Sequence, residues 1–410
     1  MPKKKIAIIG AGAAGCFCAV NIAEQTPDYE IFIYEAGLTP MHKLSLTGGG
    51  RCNLTNTFEN AENLTKIYHR GDKFLRSLFY KFNHEDTVEW FENHGVKLYA
   101  QDDGRIFPKS NKAAEIVDKL SSLMNKHGVW TFTGKKLSAV EKTSGEKFSL
   151  TFSNGEKCLE QFDYVIVTTG GLSNSPLMES LKNLGVEIID PVPSLFSLKI
   201  KSNVLTSLMG ATVDNASVMI AGEKFRSEGG LLITHFGFSG PAVLKLSSYA
   251  ARFLKDSNYK CDLAVNWMNE NEGSVFQLVN CLIKKNQNKN ILSAHPKNFT
   301  NRLWEFLVSR AEIPADKKFS ELGKKNLNKL VNVLTSDIYH VSGRGQFKDE
   351  FVTAGGVSLK SVNTKTLESK AVKNLFFAGE VLDIDAVTGG YNLQAAWTTA
   401  KTVAENFTAS

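Results

Sequence analysis

None of the six cysteines stands in CxxC spacing: Cys16, Cys18, Cys52, Cys158, Cys261 and Cys281 are scattered along the chain. That scatter supports neither a thiolate zinc site nor a redox disulfide, so reduced thiols and no metal are expected. No stretch reaches the roughly 18 to 20 consecutive apolar residues that a membrane-spanning helix requires. The start, Met1-Pro-Lys-Lys-Lys5, is basic, but the apolar run behind it is punctuated by Gly10, Gly12 and Gly15 rather than closing on a cleavage site. No secretory signal is therefore expected, and a soluble cytoplasmic protein is. Internal repeats and low-complexity tracts are missing as well. With 42% hydrophobic and 22% charged residues, the composition excludes a disordered chain.

What is present is a chain of 410 residues, long enough for two or three domains. The formal charge of +6 comes largely from dispersed lysines, many of them after Lys284. Such lysines read as solvated helix faces rather than a nucleic-acid footprint, and they equally suit an anionic ligand. Oligomeric state is not readable.

Lys5 to Ile9 is a short apolar strand, Ala11 to about Gln25 follows helical periodicity, and Ile31 to Tyr34 gives a second strand: a βαβ opening. Helical spacing continues between Gly71 and Gly95 and from Ser110 to Lys126. Val129 to Phe132, Leu137 to Val140 and Lys147 to Phe152 predict an antiparallel meander ahead of the strand Tyr164 to Thr168. After Asp190-Pro-Val-Pro193 the pattern turns β-rich, then helical from about Glu272 to Asp337. Strand character resumes at Phe347 to Val352 and again at Asn374 to Ala378. The expected organisation is a first domain over 1–190, a β-rich insertion over 191–269, a helical lobe over 270–345 and a return to the first domain over 346–410.

Gly10-Ala-Gly12-Ala13-Ala14-Gly15 lies where a strand ends and a helix begins. There the first glycine permits the turn, the second admits a pyrophosphate, and the third lets helix pack on strand. Glu35, twenty residues beyond Gly15, is placed to hydrogen-bond ribose hydroxyls and disfavours a 2′-phosphate. That fingerprint alone does not separate NAD from FAD. The far end of the chain does: Leu375-Phe-Phe-Ala-Gly379-Glu380 is a buried strand ending in a glycine and a carboxylate, and Thr388-Gly389-Gly390-Tyr391-Asn392-Leu393-Gln394 is a second glycine-rich helix start. FAD is long enough to need both, with the second helix dipole facing the ring edge where reduction deposits negative charge.

The runs Lys43-Leu-Ser-Leu-Thr47-Gly48-Gly49-Gly50-Arg51-Cys52-Asn53-Leu-Thr-Asn56, Asp103-Gly-Arg-Ile-Phe-Pro-Lys-Ser110, Thr234-His235-Phe-Gly-Phe-Ser-Gly-Pro241, Thr353-Ala-Gly-Gly-Val357 and Gly379-Glu-Val-Leu-Asp-Ile-Asp-Ala386 resemble the bacterial flavoproteins labelled BaiN-like or YhiN-like. The resemblance spans nearly the whole chain. It implies an α/β fold: a glutathione-reductase-like FAD-binding Rossmann domain interrupted by a β-barrel-like domain and a small helical lobe. It further implies that Thr169, Gly170 and Gly171, after the strand from Phe162, contact the cofactor. For activity it implies flavin-dependent redox chemistry, with members linked to reduction of unsaturated steroid-like enones and, in a related branch, to oxidation of a small amino ketone.

The Thr47 to Asn56 loop is expected to line the flavin, with Lys43 nearby; Arg51 offers a fork of donors to an anion, and Cys52 reads as an inert contact rather than a nucleophile. His235 reads either as an acid facing the isoalloxazine from the inserted domain or as a structural histidine. Tyr391 presents either a hydroxyl near the flavin or a packed ring. A second GxGxxG is missing, so either NAD(P)H binds transiently by another mode or a different redox partner takes its place. The leading expectation is hydride exchange between flavin N5 and a small-molecule substrate, reducing an electron-poor C=C bond. The alternatives are an amine or amino-ketone oxidase and, from another class, an FAD protein acting on tRNA.

Overall fold

The computed structural model describes residues 3–59, 63–173, 175–345 and 352–408. The strand expected at Phe347 to Val352 lies outside the described residues up to its last position, and the described strand there is Val352–Val357. The chain divides into two compact units, one made of residues 1–192 with 352–410 and the other of residues 193–351.

The first unit is built on five parallel strands in the order Leu375–Phe377, Tyr164–Val167, Lys4–Ile9, Tyr29–Tyr34 and Trp130–Phe132. Ile6 to Ile9, Val165 to Val167 and Leu375 to Phe377 are all buried, as parallel strands covered on both faces must be. The helices Ala13–Gln25 and Tyr391–Ala404 come from opposite ends of the chain and pack against each other. Their contact is cemented by aromatic edges, Phe17 lying 5.2 Å from Trp397.

Register matters more than order here. Ile9 pairs with Tyr34 and with Val167, and Val167 pairs with Phe377, so four strands end at one level. The residues that follow them, Gly10, Glu35, Thr168 and Ala378, therefore emerge together along the carboxyl edge of the sheet. The strand order reverses direction beside Lys4–Ile9, which is where open α/β sheets hold their ligands.

The expected meander differs in one strand. Leu137–Lys142 and Phe148–Phe152 do pair antiparallel, but Trp130–Phe132 joins the main sheet as its parallel edge. Alternation alone cannot tell a parallel edge strand from a meander strand. The Glu35 N–H donating to Phe132 O at 2.8 Å, with Gly134 turning the chain afterwards, decides it.

The second unit contains a closed six-stranded barrel, running Leu198–Ile200, Gly237–Ser239, Arg226–Ile233, Thr212–Ile220, Cys261–Asn266 and Asp337–Arg344 around its wall. Closure removes exposed sheet edges. Inward residues such as Leu198, Val218, Leu231, Leu263 and Val341 are buried, and helices Glu272–Lys285, Asn301–Arg310 and Gly323–Ser336 extend the same core through Val279, Leu307 and Leu330. Within it sits one buried carboxylate. Asp337 accepts hydrogen bonds from Trp267 Nε1 at 3.2 Å, from Arg310 Nε at 3.1 Å and from the Tyr339 hydroxyl.

A buried ion pair is weak evidence of net stabilisation, but breaking one side of it is costly. Asp337→Leu is expected to destabilise the protein by about 3 kcal/mol in urea unfolding. The double change with Arg310→Met should recover part of that loss; equal loss in both would mean the pair is not what Asp337 supplies.

Candidate cofactor and active site

At the opening turn, Gly10 takes φ of +107°, and a Cβ there would lie 2.6 Å from Thr168 O. A Cβ on Gly15 would collide with Gly10 O, so this helix can approach its strand only without side chains. Around Gly12, by contrast, a Cβ would meet nothing within 4 Å. The helix Ala13–Gln25 has no side-chain cap and no acidic residue in its first turn, which leaves Ala13, Ala14 and their neighbours as an electropositive end facing open space. Glu35 stands beside it. Its Oε2 accepts from Ala11 N at 2.8 Å and its Oε1 from Gly37 N at 2.7 Å, which fixes the carboxylate while leaving further lone pairs for hydroxyl donors.

The chain's far end meets this turn directly, since a Cβ on Gly379 would lie 2.8 Å from the Ala14 methyl. Glu380 accepts from Thr353 N at 2.8 Å and sits 3.5 Å from Lys43 Nζ, with Gly170 against it. Gly171 packs on the Thr353 side chain, and Thr169 is exposed beside it. The carboxylate of Glu380 thus ties three chain segments together at the same edge.

Helix Tyr391–Ala404 also starts without a side-chain cap and without an acidic first turn. Its entry is held by residues of the Lys43 to Asn56 run together with Tyr68 and Arg70, which no motif singled out. Gly390 is pressed against Thr55 O, where a Cβ would collide, and Asn56 Nδ2 donates to Gly389 O at 3.1 Å. Asn53, oriented to satisfy both partners, donates to Thr55 O at 3.1 Å and accepts from Gly390 N at 3.0 Å. Thr55 Oγ1 donates to Gln394 Oε1 at 2.6 Å, and the Tyr68 hydroxyl donates to Tyr391 O at 2.8 Å. Asn392 spends its amide on Ala386, accepting from its N at 2.9 Å and donating to its O at 3.0 Å, while Leu393 is half-buried. Arg70 then clamps the fully buried Asp385, Nη2 to Oδ2 at 2.6 Å, across a two-strand ladder. Nothing in the local sequence pairs residue 70 with residue 385; that signal exists only in three dimensions.

The glycine loop is the tail of helix His42–Gly50, broken at Thr47, whose ψ is 150°. Gly48, Gly49 and Gly50 follow at φ of +59°, +70° and +82°, conformations in which side chains are strained. Cys52 is fully buried, and burial pushes its thiol up to about 12 against the opposing effect of a hydrogen bond from Thr47. It is a protonated thiol at neutral pH, which disqualifies it as a nucleophile. Burial, with a smaller contribution from Asp103, likewise raises the Tyr391 phenol, whose half-buried ring lies 5.0 Å from Phe58. His235 belongs to the second unit: it is exposed, has no hydrogen-bond partner among the described residues, and packs edge-on to Phe236 at 4.8 Å.

Two uncapped helix ends from opposite termini, clear volume over Gly12, and a fixed carboxylate beside it form a donor set that fits an extended anionic dinucleotide of the FAD type. Gly10, Gly12, Glu35 and Lys43 would serve its nucleotide end, and Gly389 to Asn392 its ring end.

The family model described as "HI0933-like protein Rossmann domain" matches residues 4–406. The chain belongs to this family. Its fold is the FAD-binding Rossmann type with a closed barrel inserted, as the family resemblance implied. It is 29% identical over 409 residues to a 3-dehydro-bile acid delta(4,6)-reductase of Clostridium scindens, covering 96% of this chain and 97% of that protein. It is also 29% identical over 402 residues to a ribosomal RNA dihydrouridine synthase of Haemophilus influenzae, covering 96% of each. Among solved structures it is similar in fold to the 3-ketosteroid-delta4-(5alpha)-dehydrogenase of Rhodococcus jostii RHA1, with a TM-score of 0.50, 11% identity, and 99% and 97% of the two chains covered.

Arg70→Met leaves a fully buried carboxylate without its cation, a loss of about 3 to 5 kcal/mol. It is expected to weaken FAD uptake at least tenfold in a fluorescence titration, with Arg70→Lys intermediate; unchanged uptake would remove the clamp from the cradle. A second outcome concerns His69, next to that clamp. Burial pushes its imidazole down to about 4, opposed by Asp385 and assisted by Arg70. The unfolded chain titrates near 6.5, so the folded state resists protonation between those values. Stability should be full above pH 6.5 and fall by about 3 kcal/mol as pH drops through 4. A His69→Gln variant should flatten that slope in melts at stepped pH.

Proposed function

We propose that this protein is an FAD-dependent oxidoreductase that saturates an electron-poor C=C bond conjugated to a carbonyl. The observation that carries the reading is the convergence of two uncapped helix N-termini, one from each end of the chain, on the carboxyl edge of the parallel sheet. When bound, FAD supplies a two-electron centre that exchanges hydride with an organic substrate. Both curated relatives bear names that describe such a reaction: a Δ4,6 steroid skeleton beside a 3-oxo group, and the ring double bond of uracil beside its carbonyl.

The chain's own residues contribute the rest. The helix Tyr391–Ala404 presents positive potential where electron-rich ring atoms need it. Adding hydrogen across C=C also requires a proton at the carbon next to the carbonyl, and Tyr391 holds one at Oη, kept there by its burial and by Asp103. NAD(P)H is the proposed reductant; with one dinucleotide fingerprint in the sequence rather than two, it would bind only transiently.

A second reading concerns the carrier of the double bond. Residues 193–351 hold 21 Lys and Arg against 14 Asp and Glu, whereas the remainder of the chain holds 27 against 28. The whole positive excess therefore resides in the inserted unit, which favours a polyanionic carrier such as RNA.

The test is anaerobic. Oxidised holoprotein mixed with NADPH should lose its flavin absorbance, and a 3-oxo-4-ene steroid or a uridine-containing RNA should restore it with a saturated product. Failure of every enone and of the RNA to reoxidise the protein would sink the reading, and peroxide release with an amine in a parallel aerated assay, where O2 takes the electrons, would replace it. RNA as carrier demands binding that falls steeply with salt. Tyr391→Phe should slow reoxidation about 100-fold. Because the phenol titrates above its ordinary range, wild-type turnover should show no loss from this group between pH 7 and 9; an alkaline limb in that window that vanished in the variant would contradict the proton-donor role.

A further inference from the structure

We propose that Arg51 is an anchor for a carboxylate or phosphate group on the substrate, set beside the entry of the closing helix. This rests on the reading that Tyr391 faces the reacting ring. Two guanidinium groups share the fully buried ring of Phe107, Arg51 at 4.4 Å from its centroid and Arg105 at 5.8 Å. They are not equivalent. Arg105 is neutralised by Asp103, with Nη2 at 2.6 Å and Nε at 2.7 Å from Oδ2. Arg51 spends only Nε, donating to Gly48 O at 3.1 Å, and no carboxylate among the described residues pairs with it. Its Nη groups carry a full charge on a half-buried side chain whose guanidinium carbon sits over an aromatic ring.

The space beside it is open. Cβ atoms on Gly49 and Gly50 would meet nothing within 4 Å, and both glycines hold the loop in the left-handed region so that no side chain fills that volume. A planar fork with free Nη groups beside open, exposed glycine backbone suits bidentate capture of an oxyanion. Two residues on, Asn53 contacts Gly390 N, which puts Arg51 at the Tyr391 end of the cradle rather than at the Gly12 end that serves the dinucleotide phosphates. Asp103, the partner of Arg105, also acts on the Tyr391 phenol, so the arginine pair and the proton donor share one neighbourhood.

The experiment uses FAD-loaded wild-type, Arg51→Gln and Arg51→Lys protein, with shifts of the bound flavin's visible spectrum as readout. The probes are two matched pairs: UMP against uridine, and a 3-oxo-4-ene steroid carboxylate against its methyl ester. Wild type is expected to bind the charged member of one pair about tenfold more tightly than the neutral one, and the pair that discriminates names the source of the oxyanion. Arg51→Gln should reduce the preference below about twofold while FAD is retained, and Arg51→Lys should keep part of it. Loss of FAD from Arg51→Gln would make the residue a cofactor ligand and overturn the proposal, as would equal binding within both pairs in wild type. Reoxidation of reduced wild type by any of the four probes is scored separately: it upholds the reductase reading even if the anchor fails, and failure with all four and with a uridine-containing RNA strikes that reading alone.

Discussion

Everything at this site depends on the register of four parallel strands. Because Ile9, Tyr34, Val167 and Phe377 lie level, the turns that follow them open onto one edge. Shift Lys4–Ile9 or Tyr164–Val167 by a residue and Gly10 loses its approach to Thr168; shift Leu375–Phe377 and Gly379 loses its seat against Ala14; shift Tyr29–Tyr34 and Glu35 loses Ala11 N. Gly10 and Gly390 answer to that register, each lying where backbone from a distant part of the chain comes too near for a side chain. The space over Gly12, Gly49 and Gly50 is clear instead.

Electrostatics then reinforces what the register creates. The two helices that start at this edge lack acidic first turns and side-chain caps, so their exposed N–H groups remain available. The carboxylates nearby are all engaged: Glu35 by Ala11 and Gly37, Glu380 by Thr353 and Lys43, Asp385 by Arg70. Negative charge is thereby fixed in known directions while the positive ends stay open, a pre-organised arrangement for an anionic ligand.

Legibility in the sequence followed distance. Gly10, Gly15 and Glu35 were readable because a strand, a helix and a carboxylate fall within thirty-odd residues in a recognised order. The closing motif was readable as a glycine-rich helix start, but its supports were not. Arg70 with Asp385, Thr55 with Gln394 and Asn56 with Gly389 are each separated by more than 300 residues. Residue type alone gives no sign of such pairings. Trp130–Phe132 was misassigned for a related reason: an exposed, alternating segment looks the same whether it pairs parallel or antiparallel, and only the hydrogen bond to Glu35 distinguishes them. Asn392, expected to face the cofactor with its backbone N–H, spends its side-chain amide on mimicking a strand partner for Ala386, a pairing that residue type does not announce.

The strand Leu375–Phe377 is an outer member of the main sheet, and it is synthesised only after all of residues 193–351. A nascent chain that has completed its first 192 residues therefore has Gly12 and Glu35 but neither Glu380 nor the second helix end. A nascent chain of that length presents only half of the groove, and the other half arrives with the last helix.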